Sequence, residues 1–246
     1  MALHATNSFA LISLISIVAS GAALDEVAAQ YNAEELSKAV ANPLAAMISV
    51  PLQGNVDFGG GPAGDGASWL LKIQPVVPFA LNDDLTLISR TIAPLTYATE
   101  IFPGGDVNGL GDITQAFYFT PRPEGGVTWG VGPQFLLPTA TVPELGSGKL
   151  GAGVTGVVVV DADKVTLGAL VGQMWSVAGA PMTADVSLLN FQPFVTYHLE
   201  NGQSVGVDLE TTYDWITNQW TVPVNLTYTK VFTVGDQAVS GVVGLR

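Results

Sequence analysis

The sequence predicts an all-β fold: an antiparallel up-and-down transmembrane β-barrel with eleven strands visible, about twelve expected in the complete protein, and a short N-terminal helix. Three observations predict it. In residues 126–138, GVTWGVGPQFLLP, Val127, Trp129, Val131, Pro133, Phe135 and Leu137 share one parity, and Thr128, Gly130, Gly132 and Gln134 the other. That is the two-residue period of a strand with one apolar and one small or polar face. The pattern returns about every twenty residues, in segments that, at ~3.3 Å per residue and a tilt of roughly 40°, are long enough to cross a hydrocarbon core. The connections alternate in length, GGGPAGDGAS before ALNDD and TATVPELGSGK before DADK, as expected of long outer loops and short periplasmic turns.

Composition narrows the function classes. With 21 acidic and 8 basic residues the formal net charge is −13, so the chain should repel nucleic acid. It has no cysteine, which removes disulfides and thiolate metal sites. The 28 glycines follow no G-X-Y period, which excludes collagen.

In chain order, residues 9–23, FALISLISIVASGAA, resemble the apolar core and small-residue cleavage site of a secretory leader, so 1–23 is expected to be a signal peptide cut near Ala22 or Ala23. The run is shorter than the ~20 residues a membrane helix needs. Residues 24–44 read as a periplasmic or plug-like helical segment, with the helix over 25–41 ending before Asn42-Pro43. The barrel is expected over 45–246, its strands at 48–58, 69–79, 85–97, 112–120, 126–138, 150–160, 165–177, 189–199, 205–215, 220–228 and from about 238 onward. Six prolines, Pro51, Pro75, Pro94, Pro133, Pro193 and Pro223, sit inside these segments and must mark bulges or interruptions, since proline donates no ladder hydrogen bond.

If the polar faces point inward, the lumen-facing candidates are Asp57, Lys72, Arg90, Asp112, Gln134, Asn190, Gln192, Asp208, Glu210, Asp214 and Asn225. Asp208, Glu210 and Asp214 share one face and form an acidic stripe, with which Lys72 and Arg90 can pair; the stripe predicts a cation-preferring path. Trp69, Trp129, Trp175, Trp215 and Trp220 lie near segment ends, where an aromatic girdle would meet the lipid interface. His198, near a turn on a polar face, reads as an ordinary polar histidine. No nucleophile elbow, zinc-protease, phosphate-loop or calcium-loop pattern occurs, so neither enzyme activity nor a cofactor is expected.

The segments NGLGDITQAFYFTP (108–121), WGVGPQFLLPTAT (129–141), LGSGKLGAG (145–153) and QWTVPVNL (219–226) resemble a bacterial outer-membrane β-barrel family. Its members are labelled as transporters, as proteins of the MetA pathway of phenol degradation, or as bacterial neuromedin U. NPLAAMISVPLQ (42–53), LISRTIAPL (87–95) and GALVGQMWSVAG (168–179) extend the likeness over nearly all of the chain after residue 40. The resemblance implies an outer-membrane location in contact with lipid, passage of small, hydrophobic or aromatic solutes, and one further strand beyond Arg246; it supplies no catalytic residue. Two competing expectations are a non-conducting structural barrel and a soluble barrel that holds a lipophile inside.

Overall fold

The computed structural model describes residues 11–17, 33–234 and 237–246. One helix, α1 (Ala33–Ala41), and sixteen strands make up its regular structure, apart from a short 3-10 turn at Pro143–Leu145. The strands are β1 (Leu11–Ile17), β2 (Val50–Gly60), β3 (Gly66–Ile73), β4 (Val76–Asn82), β5 (Leu85–Phe102), β6 (Gly105–Leu110), β7 (Ile113–Pro121) and β8 (Val127–Leu137). They continue with β9 (Lys149–Ala162), β10 (Val165–Gly179), β11 (Ser187–His198), β12 (Gln203–Leu209), β13 (Thr211–Asp214), β14 (Gln219–Thr221), β15 (Val224–Val234) and β16 (Gln237–Leu245). Across its hydrogen bonds the sheet runs β10, β9, β8, β7, β5, β3, β2, β1, β16, β15, β12, β11, β13, β14; β4 and β6 branch onto β5, and β10 pairs with β11 as well as with β9.

This corrects the expected transmembrane β-barrel, a plain up-and-down cylinder of eleven visible and about twelve total strands. The chain forms a single branched antiparallel sheet of sixteen strands whose path ends on β14, a three-residue strand paired only with β13 among the described residues. The physical reason lies largely in proline and in local breaks. Pro75 separates β3 from β4, dividing the segment expected at 69–79. Pro223 separates β14 from β15, and the segment expected at 205–215 breaks at Glu210 between β12 and β13. Those two breaks face each other, since the Glu210 backbone N–H donates to the Pro223 carbonyl at 3.3 Å. Beyond residue 97, β5 continues and pairs with β6, which lies between the strands expected at 85–97 and 112–120. Pro51, Pro94, Pro133 and Pro193, by contrast, are carried within β2, β5, β8 and β11.

Residues 11–17, inside the expected leader, form β1 between β2 and β16. The rest of that leader, and residues 25–32 of the expected helix, lie outside the described residues, whereas Ala33–Ala41 is helical and Asn42 closes it by accepting the Leu44 N–H at 2.9 Å. Between β11 and β12 the turn puts Asn201 and Gly202 at φ 58° and 69°, the paired left-handed residues of a tight hairpin. A Cβ at Gly132 would run into the Phe117 carbonyl, so that glycine lets β8 lie against β7.

Polarity across the sheet is inverted relative to a water-soluble protein. Val131 (53% exposed), Val171, Phe191 (43%), Val207, Val224 and Leu226 (53%) face out, while Asn55, Gln134 (6%), Thr155, Thr166 and Asn225 (2%) are buried. An apolar cluster also lies on the inner side, where Leu44 packs with Val76, Ile88, Ala116, Tyr118, Val157 and Val159. The unbroken valines of β9 are thereby explained: Val157 and Val159 enter this cluster, and Val158 is exposed on the opposite face.

Candidate functional site

The inward side chains bound three adjoining cavities of about 320, 210 and 160 Å³. Gln53, Asp208 and Thr227 line both of the first two; Gln74, Arg90, Leu170 and Gln192 line the first and the third. Strand alternation places many of these groups, as where inward Asp208 alternates with exposed Val207 and inward Asn225 with exposed Val224.

The charged groups are partnered across this interior. Lys72 on β3 donates to Glu210 Oε1 at 3.3 Å, and an Arg246 guanidinium nitrogen stands 3.9 Å from Glu210 Oε2. Asp208 accepts from the Asn225 amide at 2.8 Å, their backbones being directly opposite in β12 and β15. Gln74 bridges, accepting from Arg90 at 2.7 Å and donating to Gln53 at 2.9 Å. Gln134, Asn190 and Gln192 line the 160 Å³ cavity with Lys72, Arg90 and Glu210. Asp208 and Glu210 are thus drawn into a mixed network in which cations hold Glu210 and a neutral amide holds Asp208.

Three of the acidic candidates sit apart from that network. Asp112 accepts from the backbone N–H and hydroxyl of Ser147, at 2.6 and 2.7 Å, and from the Ala140 N–H at 3.2 Å; it ties down the 139–148 connection. Asp214 caps the turn after β13 through the Ile216 N–H and the Thr217 hydroxyl, both at 2.8 Å. Asp57 is half-buried on β2 opposite Ser68. The five tryptophans are all exposed. Trp69 stacks on Tyr97 at 5.3 Å, Trp215 and Trp220 flank Tyr213 at 4.7 and 4.6 Å, and the Trp215 indole donates to Gln173 at 3.0 Å. Trp129 lies at the opposite end of its strand, beyond the 122–126 turn.

Sequence reasoning missed the role of His198. Its ring is buried, with Nδ1 2.9 Å from the Ser37 hydroxyl of α1 and Nε2 2.9 Å from the Thr166 hydroxyl, which donates to Asp161 at 2.6 Å. Leu36 packs beside this latch against Val231. The available signal was a polar residue, Ser37, on the buried side of an amphipathic helix.

Among the described residues no group of three or more His, Cys, Asp or Glu is placed to hold a metal ion, and no helix is long and apolar enough to cross a membrane, which says nothing about strands. No family model and no curated protein matches the chain. Among solved structures the chain is similar in fold to an outer membrane channel from Pseudomonas putida F1, at a TM-score of 0.54 and 14% identity, over 97% of this chain and 94% of that one. At that identity the likeness is one of fold, distant, and it extends over nearly the whole length. The phenol-degradation and neuromedin labels suggested by the sequence motifs gain no support from it.

Proposed function

We propose that this protein resides in the bacterial outer membrane and passes small solutes, hydrophobic or aromatic ones among them, through its polar interior. The inversion of polarity carries the reading. Val131, Phe191, Val224 and Leu226 are exposed while Asn55, Gln134 and Asn225 are buried, an arrangement that costs solubility in water and is favourable against lipid. A soluble lipophile carrier needs the reverse, with the apolar parity inside. The five exposed tryptophans are proposed as its contacts with the lipid interface. The fold shared with an outer membrane channel supports the same assignment.

The lumen is proposed to be charge-compensated, with Asp208 and Glu210 as its acidic groups and Gln134, Asn190, Gln192 and Asn225 as its neutral ones. A second reading, a structural membrane protein with no conducting path, is favoured by one observation: Leu44 and its apolar neighbours fill the inner side near the short turns. Purified protein in planar bilayers, with liposome swelling in neutral sugars, separates the two. Ion conductance and sugar-dependent swelling are expected; absence of both would overturn the channel reading and leave the structural one.

A further inference from the structure

Arg90 stands out among the interior cations. Lys72 and Arg246 share Glu210, but among the described residues no carboxylate lies within 4 Å of the Arg90 guanidinium. Among the described residues its one hydrogen bond goes to the neutral Gln74 oxygen. A guanidinium has five N–H donors, so most of its capacity is unspent, and it borders both the 320 and the 160 Å³ cavities. The floor beneath it is apolar: Val76, Leu170 and Phe194 line the larger cavity, and Leu170 and Phe194 pack against the Leu44 cluster. Gln192 supplies a further amide on the wall common to both cavities.

We propose that this cavity binds small organic monocarboxylates with an apolar or aromatic body, the carboxylate on Arg90 and the body on Val76, Leu170 and Phe194. Three features decide the class. A planar guanidinium matches a carboxylate with two parallel, charge-assisted hydrogen bonds. A cavity of this size with an apolar floor favours a ligand whose body displaces water, which a bare inorganic anion does not do. Asp208, the acidic group on the same cavity, is held by the Asn225 amide, and Glu210 is engaged by Lys72 and Arg246, so neither satisfies Arg90. The inference rests on the reading that solutes enter this interior, and it names their chemistry.

The test is calorimetric titration of the full chain in detergent micelles at neutral pH with 3-phenylpropanoate and with its neutral isostere 3-phenylpropanamide. The carboxylate is expected to bind about tenfold more tightly, the difference that a charge-assisted pair supplies. Arg90→Gln is expected to abolish the preference by weakening the carboxylate alone, and Arg90→Lys to restore part of it. Equal affinities in the unaltered protein would overturn the site without any variant having to fold, as would a preference that survives in Arg90→Gln. Swelling of liposomes in neutral sugars keeps the two readings apart. Sugar passage without carboxylate preference defeats only the site, and carboxylate preference without passage of any solute defeats only the channel.

Discussion

Glu210 holds two cations at once, and its removal is therefore the most informative single change in the interior. Glu210→Gln leaves Lys72 and Arg246 without their shared carboxylate, so reversal potentials in a salt gradient should move toward anion preference by severalfold; an unchanged potential would mean that no ion passes this group. Asp185 lies in the connection between β10 and β11, where Lys149 at the start of β9, with help from the Ser176 hydroxyl, holds it below its ordinary range. Because the folded-state midpoint is the lower one, the pair contributes fully above the unfolded midpoint, and its contribution is lost as pH falls through the folded one. Carbon-13 NMR of the Asp185 carboxyl should show a depressed midpoint that returns to the ordinary range in Lys149→Met. Of the acidic stripe expected as Asp208, Glu210 and Asp214 with Lys72 and Arg90 as partners, part was legible: Lys72 does pair with Glu210, but Arg90 bonds Gln74, Asp214 caps a turn, and Arg246 was not foreseen. Lys72 and Arg246 lie far from Glu210 in sequence, and only their placement across the interior brings them together.

At the scale of elements, α1 is held by the Ser37–His198–Thr166 chain and by Leu36 against Val231. His198→Ala removes both ring hydrogen bonds, at a cost of about 1–3 kcal/mol. Since Ala39, Val40 and Ala41 line the 320 Å³ cavity, loosening the helix should raise conductance and the frequency of open events; unaltered single-channel records would show that α1 does not obstruct the path. The strands β8, β10 and β11, with clean alternation, and β9, with its run of valines, were legible to within a few residues, because one face is apolar and exposed and register permits no slip. The expectation failed elsewhere for local reasons: Pro75 and Pro223 cut their strands, and 105–110, between the strands expected at 85–97 and 112–120, pairs with the distal part of β5. The helix was legible over Ala33–Ala41 from the Asn42-Pro43 stop.

On the scale of the whole molecule, the outward apolar face requires a covering. Cell fractionation should place the protein with outer-membrane markers, and its electrophoretic migration in detergent should change on heating; recovery from the aqueous fraction without detergent would count against the membrane assignment. Intact mass of exported protein should lack the first 22 or 23 residues, the expected leader, and a mass that retains them would keep Leu11–Ile17 available as the neighbour of β2 and β16. The wall also has one level at which its backbone ladder is thin. Glu210 lies between β12 and β13, Pro223 lies opposite between β14 and β15, and proline offers no amide there. A strip of wall with fewer donors opens at a lower free energy than the continuous β8–β9–β10 side. Deuterium should therefore enter the amides around 209–212 and 219–224 well before those of 150–175. The interior next to Glu210 would then be bordered by a stretch that keeps a shorter time between openings than the β8–β9–β10 side.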